Sequence, residues 1–191
     1  MDNVGVVILA GGLGTRLGGG KPERLFRGRR LIDPVLDLAN AWRQPAVICV
    51  REQGQVRGDG FEQIFDRQGI EGPLAGLLAA FDWGRSKGLD RFLTLPCDTP
   101  FLPDDVLPKL LCASMDSNRP AVATSNGRRH PTCVVWPTEA FVCVESYAET
   151  GRRSLTAALD ACHAVDVTWA ESAPDPFVNI NTHEDLISFQ S

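Results

Sequence analysis

The chain lacks any C-x-x-C pair among its six cysteines, at positions 49, 97, 112, 133, 143 and 162, which argues against a zinc site or a disulfide frame. Most of them sit in apolar surroundings and read as reduced core thiols. Histidine is scarce, and His130 and His163 are too isolated to suggest a metal centre. There is no excess of basic charge: the formal net charge of −5 disfavours a nucleic-acid-binding surface. There are no repeats, low-complexity tracts or long single-sign charge runs. No apolar run approaches the length of a membrane span, and Asp2 with a short apolar stretch before Gly11 makes a poor signal sequence. A cytoplasmic protein without a membrane partner is expected. The 191 residues suffice for one domain with a substantial core, and no composition shift divides residues 1–191.

What the chain does have is a glycine-rich, cationic loop. The segment Leu9-Ala10-Gly11-Gly12-Leu13-Gly14-Thr15-Arg16-Leu17-Gly18-Gly19-Gly20-Lys21-Pro22 follows directly on the apolar run Val4 to Ile8. Glycine tolerates positive φ, so such a loop can turn several N–H groups toward one anion, while Arg16 and Lys21 supply full charges. The spacing is not a Walker A loop, because Thr15 and Pro22 occupy the places of the required glycine and hydroxyl residue. Nor is it the dinucleotide fingerprint, whose third glycine is replaced by Leu17. It reads as another kind of phosphate cradle, against the bland alternative of a surface turn.

The rest of the pattern predicts an α/β fold with a mostly parallel, mixed sheet. Val4–Leu9 and Ala46–Val50 read as strands around a helix over 33–43, with Asp33 as N-cap and Pro34 at the first helical position. A short strand follows at 63–66, a helix at Pro73–Ser86 and a strand at Arg91–Pro96. A helix is expected over 103–114, with Asp104 and Asp105 in its first turn. Strands at 121–124 and 132–136, joined through Ser125-Asn126-Gly127, suggest an antiparallel hairpin within the sheet. Helices are expected over 138–147 and 153–162, then a strand over 164–169. A final helix over 182–189 opens with Thr182 and Asp185 spaced as a capping box.

Asp98 is the leading carboxylate. It follows a strand at the edge where open α/β sheets place ligands, and one carboxylate with phosphate oxygens and water is a usual Mg²⁺ arrangement. Its alternative role is to cap the turn before Pro100. Asp66, at a strand end, could accept hydrogen bonds from a base or ribose, or be a solvated loop acid. Gly72-Pro73-Leu74-Ala75-Gly76 could bring a helix N-terminus near the ligand, or simply open a helix. Asn179 and Asn181 lie two apart on an extended segment and face one side, where paired amides read a heterocycle or order a loop. Three basic spots, Arg27/Arg29/Arg30, Arg128/Arg129 with His130, and Arg152/Arg153, are candidates for a second anionic group.

Five motifs in order make the chain similar to a known family: Leu9-Ala10-Gly11-Gly12 with Arg16 and Gly18; Gly72-Pro73-Leu74-Ala75-Gly76; Cys97-Asp98-Thr99-Pro100-Phe101; Arg129-His130-Pro131-Thr132; and Phe177-Val178-Asn179-Ile180-Asn181-Thr182. Over nearly its full length it resembles the MobA-type molybdenum cofactor guanylyltransferases. The resemblance implies a Rossmann-like three-layer α/β/α nucleotidyltransferase domain that binds GTP and Mg²⁺. It also implies transfer of GMP to the terminal phosphate of molybdopterin, with release of pyrophosphate and transient contact with cofactor-biosynthesis or acceptor proteins. On that template Leu9, Ala10, Gly11, Gly12 and Lys21 contact GTP, Asp66 lies near the nucleotide, and Asp98 binds Mg²⁺. Arg16, Lys21 and Asp98 carry the catalysis, while His130, Arg153, Asn179 and Asn181 lie toward the pterin. One departure is Gly20, where the family usually has Asp before the loop lysine; it bears on the lysine's orientation and on a second metal contact. The alternatives are the cytidylyltransferase of the same cofactor, a sugar-1-phosphate nucleotidyltransferase, and a nucleotide-binding carrier or regulatory module without catalysis.

Overall fold

The structure is a computed structural model that describes residues 3–12, 14–58 and 60–189. Asp2 and Leu13, which entered the readings of the amino terminus and the loop, lie outside the described residues. In chain order the elements are β1 (Val4–Leu9), β2 (Leu25–Phe26), β3 (Arg29–Arg30), α1 (Asp33–Trp42), β4 (Ala46–Val50), β5 (Glu62–Phe65), α2 (Pro73–Ser86), β6 (Arg91–Pro96), α3 (Val106–Ser117), β7 (Ala121–Ser125), β8 (Arg128–Pro137), α4 (Phe141–Glu149), α5 (Leu155–Ala161), β9 (Val165–Thr168) and α6 (His183–Ser188). Seven strands form one sheet in the order β5-β4-β1-β6-β8-β7-β9, and β2 and β3 form a small separate ribbon. Strands β5, β4, β1 and β6 run parallel, β8 is antiparallel to both β6 and β7, and β9 is parallel to β7.

The alternation of side chains along each strand sends buried residues to two faces. Val6, Ile8, Ile48, Val50, Leu93 and Leu95 pack with Val35, Leu36 and Ala39 of α1 and Val106, Leu107 and Leu110 of α3. Val7, Val47, Cys49 and Phe92 face α2, α4 and α5 on the other side. That makes three layers, because a sheet buried on both faces needs helices on both. A third cluster, Leu17, Phe26, Leu31, Ile180 and Leu186, pins the glycine-rich loop, the small ribbon and α6 together.

Several boundaries differ from those read in the sequence. Asp33 is the first residue of α1 rather than its cap, and its carboxylate accepts from Arg30 N (2.8 Å) and Nε (2.7 Å). Helix α3 begins at Val106, not at 103, with Asp105 as its N-cap. Pro108 explains the shift: in the first turn its missing N–H needs no partner, whereas a helix started at 103 would lose an internal bond there. Asp105 accepts from Trp169 Nε1 (2.8 Å) and pairs with Lys109 (2.7 Å). β8 is longer than expected because the two-residue turn at Asn126 and Gly127, both at positive φ, extends the hairpin to Ser125 and Arg128. Pro131 falls where its register is interrupted. The helix expected over 138–147 divides into a 3-10 turn (Thr138–Ala140) and α4, and Ser154 rather than Arg153 begins the next helix as its cap. The capping box at Thr182 and Asp185 is present in both directions. All six cysteines are free, Cys112 is exposed and Cys143 half-buried, so the core reading holds for the other four. No helix among the described residues is long and apolar enough to cross a membrane.

Candidate active site

The site follows from the pairing of β1 with β6. Leu9 lies opposite Pro96, and Cys97 N donates to Leu9 O (3.2 Å), so the glycine-rich loop and Asp98 leave adjacent parallel strands at the same edge. β4 and β5 end there too, and Asp66 N donates to Val50 O (2.9 Å). These ends, the start of α2 and the segment before α6 enclose a cavity of about 840 Å³.

The loop is built by four left-handed glycines and two anchors. Gly18, Gly19 and Gly20 have φ of +74°, +82° and +59°. Buried Leu17 ties the loop to the third core cluster, and Arg24 donates to Gly19 O (3.1 Å) and Gly18 O (3.2 Å). Gly14, at φ +57°, lets Lys21 come close: a Cβ there would lie 2.6 Å from Lys21 Cβ. Lys21 Nζ forms an ion pair with Asp98 and donates to Asn181 Oδ1 (2.7 Å). Asn179 Nδ2 in turn donates to Asp98 Oδ1 (2.6 Å) and Thr99 Oγ1 (3.2 Å), while Ile180 N donates to Asp98 O (2.9 Å). The two asparagines thus share one side, as their spacing predicted, and hold the two opposite charges of the site.

Asp66 faces this group across the cavity. Gly11 and Gly76 lie against its carboxylate: a Cβ at Gly11 would come within 2.6 Å of Oδ2, and one at Gly76 within 3.2 Å of Oδ1. Cys49 Sγ donates to Oδ1 (3.3 Å). Burial raises the Asp66 carboxyl above its ordinary value, with the thiol hydrogen bond and the Arg51 charge opposing it.

Of the residues singled out in the sequence, Leu9, Gly11, Gly12, Arg16, Lys21, Asp66, Asp98, Asn179 and Asn181 line the cavity. Ala10 is fully buried, its N bonded to Cys49 O (2.8 Å) and its O to Gln55 Nε2 (3.0 Å). His130 is stacked on Phe177 (4.8 Å) and bonded to Ser125 Oγ (2.7 Å), outside the lining. Arg153 also lies outside it, exposed, donating to Ala148 O (3.3 Å) and Arg152 O (2.9 Å). Two of the basic spots serve structure. Arg29 pairs with Asp37, Arg30 lies between Glu23 and Asp33, and Arg129 bridges Asp160 and Asp166. Sequence reasoning missed Gln55, which donates to the carbonyls of both Ala10 and Gly12 (3.3 Å), and the lining residues Arg51 and Arg67. Nothing in their local sequence distinguishes them from surface polar residues.

The donor set suits a hard divalent cation that arrives with a polyphosphate. Among the described residues no group of three or more His, Cys, Asp or Glu could hold an ion alone. The Asp98 carboxylate, buried at the cavity wall, already carries a cation in the form of the Lys21 ammonium. A carboxylate oxygen suits a hard divalent cation better than a softer metal.

Residues 6–164 match the family described as MobA-like NTP transferase domain. A molybdenum cofactor guanylyltransferase of Rhodopseudomonas palustris (strain BisB5) is 38% identical over 196 residues, covering 94% of this chain and 89% of that protein. Its counterpart in Bradyrhizobium sp. (strain ORS 278) is 34% identical over 187 residues, covering 94% and 88%. The crystal structure of molybdopterin-guanine dinucleotide biosynthesis protein A from Archaeoglobus fulgidus superposes with a TM-score of 0.77 at 23% identity, covering 96% and 95% of the two chains, and shares the fold.

Proposed function

The chain belongs to the MobA-like NTP transferase family, and on that premise we propose that it transfers GMP from GTP to molybdopterin, forming the guanine dinucleotide cofactor and releasing pyrophosphate. The guanylyltransferase names of relatives matched over most of their length support the donor and acceptor. The single observation that carries the chemistry is the meeting of Lys21 and Asp98 beneath the glycine-rich loop.

A phosphate oxygen of the pterin must approach the α-phosphorus of a polyanion in line with departing pyrophosphate, so the task is neutralisation and alignment. No side-chain nucleophile is needed. In our reading the loop amides at Gly11 and Gly12 receive phosphate oxygens, and Arg16, at the cavity rim, covers the leaving end. Lys21 exchanges Asp98 for the α-phosphate while keeping Asn181 as its guide. Asp98 is thereby freed to hold Mg²⁺, steadied by Asn179. When bound, the ion polarises the α-phosphoryl group and neutralises pyrophosphate. Asp66, across the cavity, accepts from the guanine edge. The amides of Asn179 and Asn181 border the space left for the incoming pterin phosphate, and His130 and Arg153, outside the cavity lining, are assigned to the pterin side. The reading is of a cytoplasmic enzyme.

The test incubates purified protein with Mg²⁺, molybdopterin or its molybdenum-loaded form, and each of the four nucleoside triphosphates. Pyrophosphate and a guanine dinucleotide from GTP are expected. A cytosine product would make it the cytidylyl relative, and GTP binding without pyrophosphate release would make it a carrier; either overturns the proposal.

A further inference from the structure

Cys49 occupies an unusual place for a core thiol. Its side chain points from β4 toward α2 and is fully buried, yet its sulfur reaches the edge of the cavity at Asp66. Burial raises the thiol well above its ordinary range, so it is a protonated donor and not a nucleophile. Two acceptors lie within reach, Asp66 Oδ1 at 3.3 Å and Gly76 O at 3.8 Å, and the single hydrogen goes to the nearer, charged one. Asp66 Oδ2 has no hydrogen-bond partner among the described residues and is not one of the buried polar atoms left unpaired. It is therefore open to the cavity. The missing side chains of Gly11 and Gly76 leave the carboxylate room to sit as it does, and the thiol holds Oδ1 in that orientation.

We propose that Cys49 is a positioning residue for nucleotide selection: its S–H holds Asp66 Oδ1 so that Oδ2 is presented to the donor N–H groups of a guanine edge. The proposal rests on the reading of Asp66 as the base-facing carboxylate. Adenine has an acceptor where guanine has its N1–H, so it gains nothing there from the fixed oxygen. Without the thiol the carboxylate turns more freely, loses part of its orientation toward guanine, and discriminates less. A core filler of similar size would have no such effect.

The test measures affinities for GTP and ATP by calorimetry with Mg²⁺, in the wild type, Cys49→Ser, Cys49→Val and Asp66→Asn, alongside thermal unfolding. Cys49→Ser keeps the donor and should keep the GTP preference. Cys49→Val fills the space without a donor and should weaken GTP roughly fivefold, the scale of one hydrogen bond, while leaving ATP unchanged. Should Cys49→Val fail to fold, Cys49→Ala serves as the donor-less variant. If Asp66→Asn abolishes the preference while the donor-less variant retains it, Cys49 is only packing and the inference falls. If Asp66→Asn itself leaves the preference intact, the base-facing reading of Asp66 falls first.

Discussion

Lys21 and Asp98 arrive from the ends of different segments and form an ion pair whose side chains are only 12% and 11% exposed. Withdrawing two charges from water is costly, and Asn181 and Asn179 offset part of that cost with one hydrogen bond to each. Either charge alone is therefore a liability to the ligand-free fold and an asset to a bound polyphosphate.

Lys21→Met and Asp98→Asn should each lower turnover by about 10² to 10³, the scale of one preorganised charge contact. In thermal unfolding the double variant should be less destabilised than the two single changes added together, because it leaves no unpaired charge. Strict additivity would mean that the two side chains do not interact.

Gly14 and Gly20 separate two roles of glycine. Gly14→Ala would place a Cβ 2.6 Å from Lys21 Cβ and should cost affinity for GTP as well as stability. At Gly20 nothing lies within 4 Å of the added atom, so Gly20→Ala should cost only the left-handed backbone term, about 1 kcal/mol. Gly20→Asp should cost less than Gly20→Ala because Asp tolerates that conformation better. Denaturant unfolding ranks all three.

Gln55 ties the loop from behind by donating to Ala10 O and Gly12 O, while its Oε1 accepts from Arg51 N (2.8 Å). Gln55→Ala should raise KM for GTP roughly fivefold with little change in kcat, since it loosens a binding loop and touches no reacting atom. A fall in kcat alone would count against this role.

Asp66 opposes folding when charged. Its carboxyl is raised in the folded state, so the folded chain takes up a proton more readily than the unfolded one. Stability from this group is then present below the unfolded carboxylate value and lost as pH rises through the folded one. Asp66→Asn should raise the melting temperature at neutral pH, with the gain vanishing as pH falls through the carboxylate range, while GTP affinity drops. Equal stabilisation at every pH would contradict the sign of the shift.

How much of this was legible in the chain depends on the range over which each signal acts. The parallel half of the sheet, the hairpin and the capping box of α6 could be read because strand alternation, turn glycines and cap spacing act within a few residues. The start of α3 was misplaced although Pro108 lay in plain view, since its effect depends on where the helix begins. Arg129, grouped with His130 as a possible anion holder, proved to be spent on Asp160 and Asp166, which only folding brings to it.

By itself the sequence determined that a glycine-rich cationic loop follows a buried strand and that an acid follows another, because glycine, lysine and aspartate carry those properties wherever they stand. Only the tertiary structure decided that β1 and β6 are neighbours, that Asn179 and Asn181 grip Asp98 and Lys21, and that a core thiol meets Asp66. The reason is physical: conformational preference is local to a residue, whereas electrostatic pairing and shared hydrogens exist only once distant segments have been packed within a few ångströms.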